Sequence, residues 1–315
     1  MTGQRKTTDR LHFGIVTGQH RRPLSQIEEH WQFAEETGWD SAWAFDHFFS
    51  LGQNEMEQTL EGWTLLAALA AKTTRVQLGL MVSGNTHRNP AILAKQAVTV
   101  DHVSNGRLIL GLGAGWNERE HHAYGIDFPA PRERVDRLGE TLEMLRLLET
   151  QERTTFTGRY YTLDDAPFEP KPVNGHIPIL IGTAGQRMLR HVARYADLWD
   201  GGENIDAYSE NAQRLQQLCH EIGRDPAEIR LVLSAYSQPL QSVDTFREHV
   251  TRFARIGVRT FLFNTPFSTL PPLFNDLAQR VIPELRQQHA AGKLGSSGIS
   301  SSCNEDRFRP HSVLS

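Results

Sequence analysis

The sequence predicts one α/β barrel of eight strand-then-helix units, a TIM-type barrel. Three observations lead there. Apolar β-type runs and helical segments alternate eight times between Leu11 and Gln287. Several runs are apolar almost throughout, as strands covered on both faces should be. Nothing divides the 315 residues into two halves, which argues against an open doubly wound sheet.

The first run, Leu11 to Gly18, feeds a helix over Leu24 to Thr37. Ser25 three residues before Glu28 reads as a capping pair, and Gly38 as a C-terminal glycine. The second run, Ser41 to Phe48, precedes a helix over Leu60 to Lys72. The third, Arg75 to Gly84, precedes Pro90 to Ser104, which Asn89-Pro90 opens and Gly106 closes. The fourth, Arg107 to Trp116, is joined by NEREHHAYGIDFPAPRE to a helix over Arg132 to Thr150. Next come Pro178 to Ala184 with Gln186 to Tyr195, and Asp197 to Gly202 with Ala207 to Ile222. The last two units are Ile229 to Tyr236 with Val243 to Ile256, closed by Gly257, and Thr260 to Pro266 with Leu270 to Gln287.

Thr154 to Pro172, rich in Thr, Tyr and Pro, interrupts the alternation between the fourth helix and fifth strand. It predicts an insertion with a short hairpin around Thr157-Gly158. The domain reading is a tail over 1–10, the barrel over 11–287, and a Gly/Ser-rich disordered tail over 288–315.

A net charge of −4 gives no reason to expect nucleic acid or membrane as partner. No run approaches the roughly 20 apolar residues of a membrane helix, and MTGQRKTTDR lacks the apolar core of a secretory signal. Cys219 and Cys303 form neither a disulfide framework nor a zinc spacing. A cytoplasmic protein is the expectation.

In a barrel, chemistry sits at the C-terminal ends of the strands. Those ends carry Asp46-His47, Ser83-Gly84-Asn85, Gly113 to Asn117, Gly182 to Gly185, and Trp199 with Gly201 and Gly202. His47 can move a proton near neutral pH, and Asp46 reads as a hydrogen-bond anchor. Gly182-Thr183-Ala184-Gly185 follows an apolar strand and opens a helix, the arrangement that binds phosphate on free N–H groups. GLGAGW, from Gly111, fails as a dinucleotide fingerprint because its third glycine comes one residue early and no helix follows directly. His47, His87, His102, His121 and His122 show no metal-ligand spacing and are expected mostly at the surface, so no metal is assigned. A serine-nucleophile elbow is absent.

These residues make the chain resemble the luciferase-like monooxygenase superfamily, more narrowly its coenzyme F420-dependent oxidoreductase branch. AFDHFF (Ala44 to Phe49), the stretch Leu60 to Leu108, LGLGAGWNEREHHAYGIDF (Leu110 to Phe128), Glu169 to Gly185 and ARYADLWD (Ala193 to Asp200) carry the resemblance. It implies a bacterial luciferase-like barrel, commonly dimeric, that exchanges a hydride between a deazaflavin and a small organic substrate. FMN with oxygen, in a monooxygenase, is the alternative. By the resemblance, Asp46 and His47 lie beside the ring, with His47 moving the proton. Ser83-Gly84 match a third-strand bulge where a non-prolyl cis peptide backs the ring. Asn117 matches a cofactor-contacting Asn, and Gly182, Thr183, Ala184 and Gly185 hold the cofactor phosphate. Trp116 and Trp199 line the substrate pocket. Ala114 stands where sugar-phosphate dehydrogenases of the branch carry an acid, which counts against a glucose-6-phosphate type of substrate.

Overall fold

The computed structural model describes residues 9–52, 54–235 and 238–294. Its parallel sheet starts with β1 (His12–Val16), β2 (Ser41–Ala44), β3 (Gln77–Leu80), β4 (Ser83–Gly84) and β5 (Leu110–Gly113). An antiparallel hairpin, β6 (Arg153–Thr157) and β7 (Thr162–Pro167), follows. The sheet resumes with β8 (Ile179–Gly182), β9 (Leu198–Asp200), β10 (Arg230–Ala235) and β11 (Thr260–Asn264).

The order β3-β2-β1-β11-β10-β9-β8-β5-β4 closes on itself. A parallel bridge between Leu78 and Leu108 joins β3 to the start of β5, and β4 pairs with its end. β3 and β4 are therefore one barrel strand, interrupted at the cis peptide bond Met81-Val82. Counted so, the barrel has the eight strands the alternation predicts.

The helices are α1 (Leu24–Glu36), α2 (Gly62–Lys72), α3 (Pro90–Val103), α4 (Glu118–Ala123), α5 (Pro131–Thr150), α6 (Gln186–Tyr195), α7 (Ile205–Glu221) and α8 (Val243–Ala254). α9 (Pro272–Asp276) and α10 (Ile282–Ala290) flank a π-helical turn, Leu277–Val281, in the eighth unit. Several sequence readings change. α1 starts after Pro23 with no side-chain cap, so Ser25 and Glu28 do not form the expected pair. Gly38 is not left-handed; a Cβ there would lie 2.7 Å from the Ala278 carbonyl, so close packing accounts for the glycine. Gly106 and Gly257 are left-handed, as closing glycines should be. The segment read as a plain connection after Trp116 contains α4. The last helix reaches Ala290, inside the tail predicted as disordered; 295–315 and 1–8 lie outside the described residues.

Two cores result. Strand residues facing outward pack with the helices around Phe13, Trp39, Leu112, Trp199 and Phe263. Val16, Trp43, Ile109, Leu180, Leu198, Val232 and Leu262 fill the barrel axis, with Met81 and Val82 against them. Side chains alternate along a strand. Two residues beyond Leu180, Leu198, Val232 and Leu262 therefore stand Gly182, Asp200, Ser234 and Asn264, facing the axis one layer nearer the C-terminal mouth.

Candidate active site

The mouth has a charged side and a glycine-polar side. On the first, Asp46 at the end of β2 is fully buried. Its carboxylate accepts two hydrogen bonds from the Arg88 guanidinium, Nη1 to Oδ2 at 2.5 Å and Nη2 to Oδ1 at 2.8 Å. It also accepts the Gly84 N–H at 3.1 Å, which ties β2 to β4. Burial alone would raise the Asp46 pKa, but Arg88, with His87 3.4 Å away, outweighs it and lowers the pKa to about 2. Asp46 is thus a fixed anion that ties β2 to β4 and to Arg88.

His47 lies one residue on. Its Nδ1 stands 2.8 Å from Oε2 of Glu120, whose side chain is wholly buried. The other oxygen, Oε1, accepts the Phe48 N–H at 2.5 Å. Burial raises the Glu120 pKa, yet the bonds from His47 and Phe48 bring it below the usual value. An ionised carboxylate can only accept, so Nδ1 carries the proton and Nε2 is left to take or give one.

Glu120 escaped the sequence reading because it lies on α4. Its signal was the N-x-x-E spacing from Asn117. Asn117 caps α4, accepting the Glu120 N–H at 3.2 Å, and so positions the carboxylate that holds His47. The histidines expected at the surface divide. His87 and His121 are buried, their rings 5.0 Å apart, and His121 is held between Thr86 Oγ1 and the Asn117 carbonyl. His102 and His122 are exposed. Among the described residues, no group of three or more His, Cys, Asp or Glu could hold a metal ion.

The glycine side is a floor. The cis bond falls at Met81-Val82, just before the expected Ser83-Gly84, and Val82 leans across the barrel axis. A Cβ on Gly113 would lie 2.8 Å from Val82 Cγ2, and one on Gly111 only 2.1 Å from the Leu80 carbonyl. Larger residues would collide, so these glycines keep the wall flat. Ser83 itself is buried and accepts the Trp63 indole N–H at 3.1 Å.

Beyond β8, Gly182, Thr183, Ala184 and Gly185 lead into α6. Gly185 caps it with no side-chain bond, which leaves its first N–H groups without a side-chain acceptor. Ala184 and Gly185 are exposed, and Thr183 Oγ1 accepts the Gly185 N–H at 2.9 Å. A flat wall and an open helix start suit a planar ring with an anionic tail.

The two expected pocket tryptophans part company. Trp116 is 67% exposed, its ring 5.6 Å from that of His47 and edge-on to it. Trp199 is fully buried against Tyr208 in the helix-side core, its indole N–H on the Thr183 carbonyl. It supports the glycine loop from behind and does not line the mouth. The residue facing the mouth from β9 is its neighbour Asp200; reading alternation onward from Leu198 would have found it.

Comparison with known proteins adds to this geometry. A family model described as luciferase-like monooxygenase matches residues 7–293. An uncharacterized protein of Mycobacterium tuberculosis is 33% identical over 69% of this chain and 73% of its own. An F420-dependent glucose-6-phosphate dehydrogenase of Kineococcus radiotolerans is 35% identical over 68% of this chain and 65% of its own. Among solved structures, an F420-dependent secondary alcohol dehydrogenase with an F420-acetone adduct superposes with a TM-score of 0.75 at 18% identity, covering 88% of this chain and 98% of that one. A long-chain alkane monooxygenase superposes with a TM-score of 0.73 at 14% identity, over 90% and 92% of the two chains. At such identities the superpositions speak for the fold.

Proposed function

The chain belongs to the luciferase-like monooxygenase family, and from that premise we propose that it is an F420-dependent oxidoreductase interconverting a small alcohol and its carbonyl compound. The observation that carries the reading is His47, oriented by buried Glu120 at the edge of a flat glycine floor. The relatives named as F420-dependent dehydrogenases support the choice of cofactor.

The floor formed by Val82, Gly113 and Gly182 would receive the ring, and the Gly182 to Gly185 loop its phosphate. When bound, a deazaflavin supplies a ring carbon that accepts or returns a hydride. The chain's own residues manage the proton. Nε2 of His47 takes the hydroxyl proton as the alcohol becomes a carbonyl, and gives it back in the reverse direction. Glu120 fixes the tautomer and stabilises the imidazolium once formed. Asp46 and Arg88 hold β2 against β4 so that His47 keeps its place.

Trp116 covers the mouth above His47 and offers an aromatic face to an uncharged substrate. Ala114 leaves no acid on that loop position, consistent with a substrate other than a sugar phosphate. The reading includes a homodimer. His47→Asn tests it: deazaflavin affinity should hold within a few-fold while turnover of alcohols and ketones falls about 10²–10⁴-fold. Turnover that survives the substitution contradicts the role given to His47.

A further inference from the structure

Among the described residues, Asp200 is the site-facing acid that the proposed chemistry leaves unused. It ends β9 beside Gly182 and Val232 and points to the barrel axis in the layer of the mouth. Among the described residues, no lysine, arginine or histidine forms an ion pair with it, unlike Asp46. Its bonds come from neutral groups. Oδ1 receives the Gly202 N–H at 3.2 Å and a long contact from the Ser234 N–H at 3.4 Å, and Oδ2 lies 2.5 Å from Ser234 Oγ. The titratable group felt from the packed helix α7 is Tyr208, whose hydroxyl already donates to the Val232 carbonyl at 2.9 Å.

Asp200 is buried, whereas Ser234 is half-buried and lies two residues beyond Val232, the β10 partner of Asp200, toward the C-terminal mouth. We propose that Asp200 and Ser234 form a proton-gated hydrogen-bond donor in the floor of the mouth, built for a carbonyl or ring-nitrogen acceptor on the edge of a flat heteroaromatic ligand. A serine hydroxyl has one hydrogen to give. When Asp200 is ionised, Ser234 donates that hydrogen inward and offers a ligand only lone pairs. When Asp200 holds a proton, the acid donates to Oγ and the serine hydrogen turns to the ligand. Burial without a cation raises the acid's pKa, in the direction that favours the donating form.

Binding an acceptor would therefore be coupled to a proton on Asp200. In the substitution Asp200→Asn, the amide N–H₂ replaces Oδ2 and donates to Oγ permanently, so the donor stays on at every pH. Ser234→Ala removes it altogether. The inference rests on the function proposed above for the identity of the ligand, but the state of the acid can be read without one.

Infrared difference spectra of the ligand-free wild type against Asp200→Asn, at a pH where surface carboxylates are ionised, should show the carbonyl band of a protonated acid. Ser234→Ala should shift that band. Titration with oxidised deazaflavin should then show wild-type affinity, relative to Asp200→Asn, falling about tenfold per pH unit above the acid's own pKa. No protonated-acid band, or a band indifferent to Ser234→Ala, overturns the gate whatever the cofactor. A wild type and Asp200→Asn with the same pH dependence of affinity overturn its role toward the ring. If the band is present and deazaflavin does not bind, the cofactor assignment fails, and with it the ligand named here.

Discussion

Asp46 and Asp200 both stand at the barrel mouth, both buried, and their pKa values move in opposite directions. Asp46 has the forked guanidinium of Arg88 against it and is held at about 2. Asp200 has a serine hydroxyl and backbone N–H groups, and burial pushes it up. The difference is the partner, since burial alone disfavours both anions. One side of the mouth is a fixed electrostatic frame that aims His47. The other can exchange a proton.

Removing the frame should have the largest effect. Asp46→Ala leaves the buried Arg88 with only the longer Glu61 contact at 3.5 Å in place of its forked partner, and should cost about 3 kcal/mol in urea unfolding. The same contact sets an acid limit. The folded pKa lies below the unfolded value of roughly 3.9. The stability from Asp46 is therefore present above about pH 4 and is lost as pH falls through the folded value of about 2. Acid unfolding of the wild type should be steep in that window and shallower in Asp46→Asn.

Glu120→Gln should have a smaller effect, on rate. It keeps a hydrogen-bond acceptor near His47 but removes the charge that stabilises the imidazolium, and should reduce kcat about ten- to a hundredfold. The pH profile of kcat should move with it, which a purely structural role would not produce.

Asp200→Asn sharpens the contrast through the sign of its pH dependence. The folded pKa of Asp200 is raised, so ionisation is penalised in the native state. Its penalty is absent below the unfolded pKa and grows as pH rises toward and through the folded one. Asp200→Asn should gain stability relative to wild type over that range, opposite to Asp46→Asn. Trp116→Ala should change least in stability, within about 0.5 kcal/mol, because the ring is exposed. Its effect should be on substrate KM.

The sequence made one half of the frame legible, Asp46-His47 at the end of an apolar run and Asn117 after another. Glu120 and Arg88 went unread because they meet their partners 73 and 42 positions away. The donor side is spread over three strands and depends on which side chains face inward. Trp199 attracts attention as a large aromatic, yet Leu198 and Asp200 are the residues that turn to the axis. The eight-unit alternation was readable from end to end. The split of the third strand at Met81-Val82 and the short α4 were less so, because two-residue strands and six-residue helices carry little periodicity.

The central claim is a flat deazaflavin on the glycine floor beneath Trp116. Trp116 is exposed while Trp31, Trp39, Trp43, Trp63 and Trp199 are buried, so external quenching of tryptophan emission reports on the mouth. Purified protein should be titrated in parallel with oxidised deazaflavin and with FMN, following acrylamide quenching in wild type and in Trp116→Phe. The account predicts saturable protection by the deazaflavin, weaker or none by FMN, and loss of the signal in Trp116→Phe. Tight protection by FMN with none by the deazaflavin would contradict it.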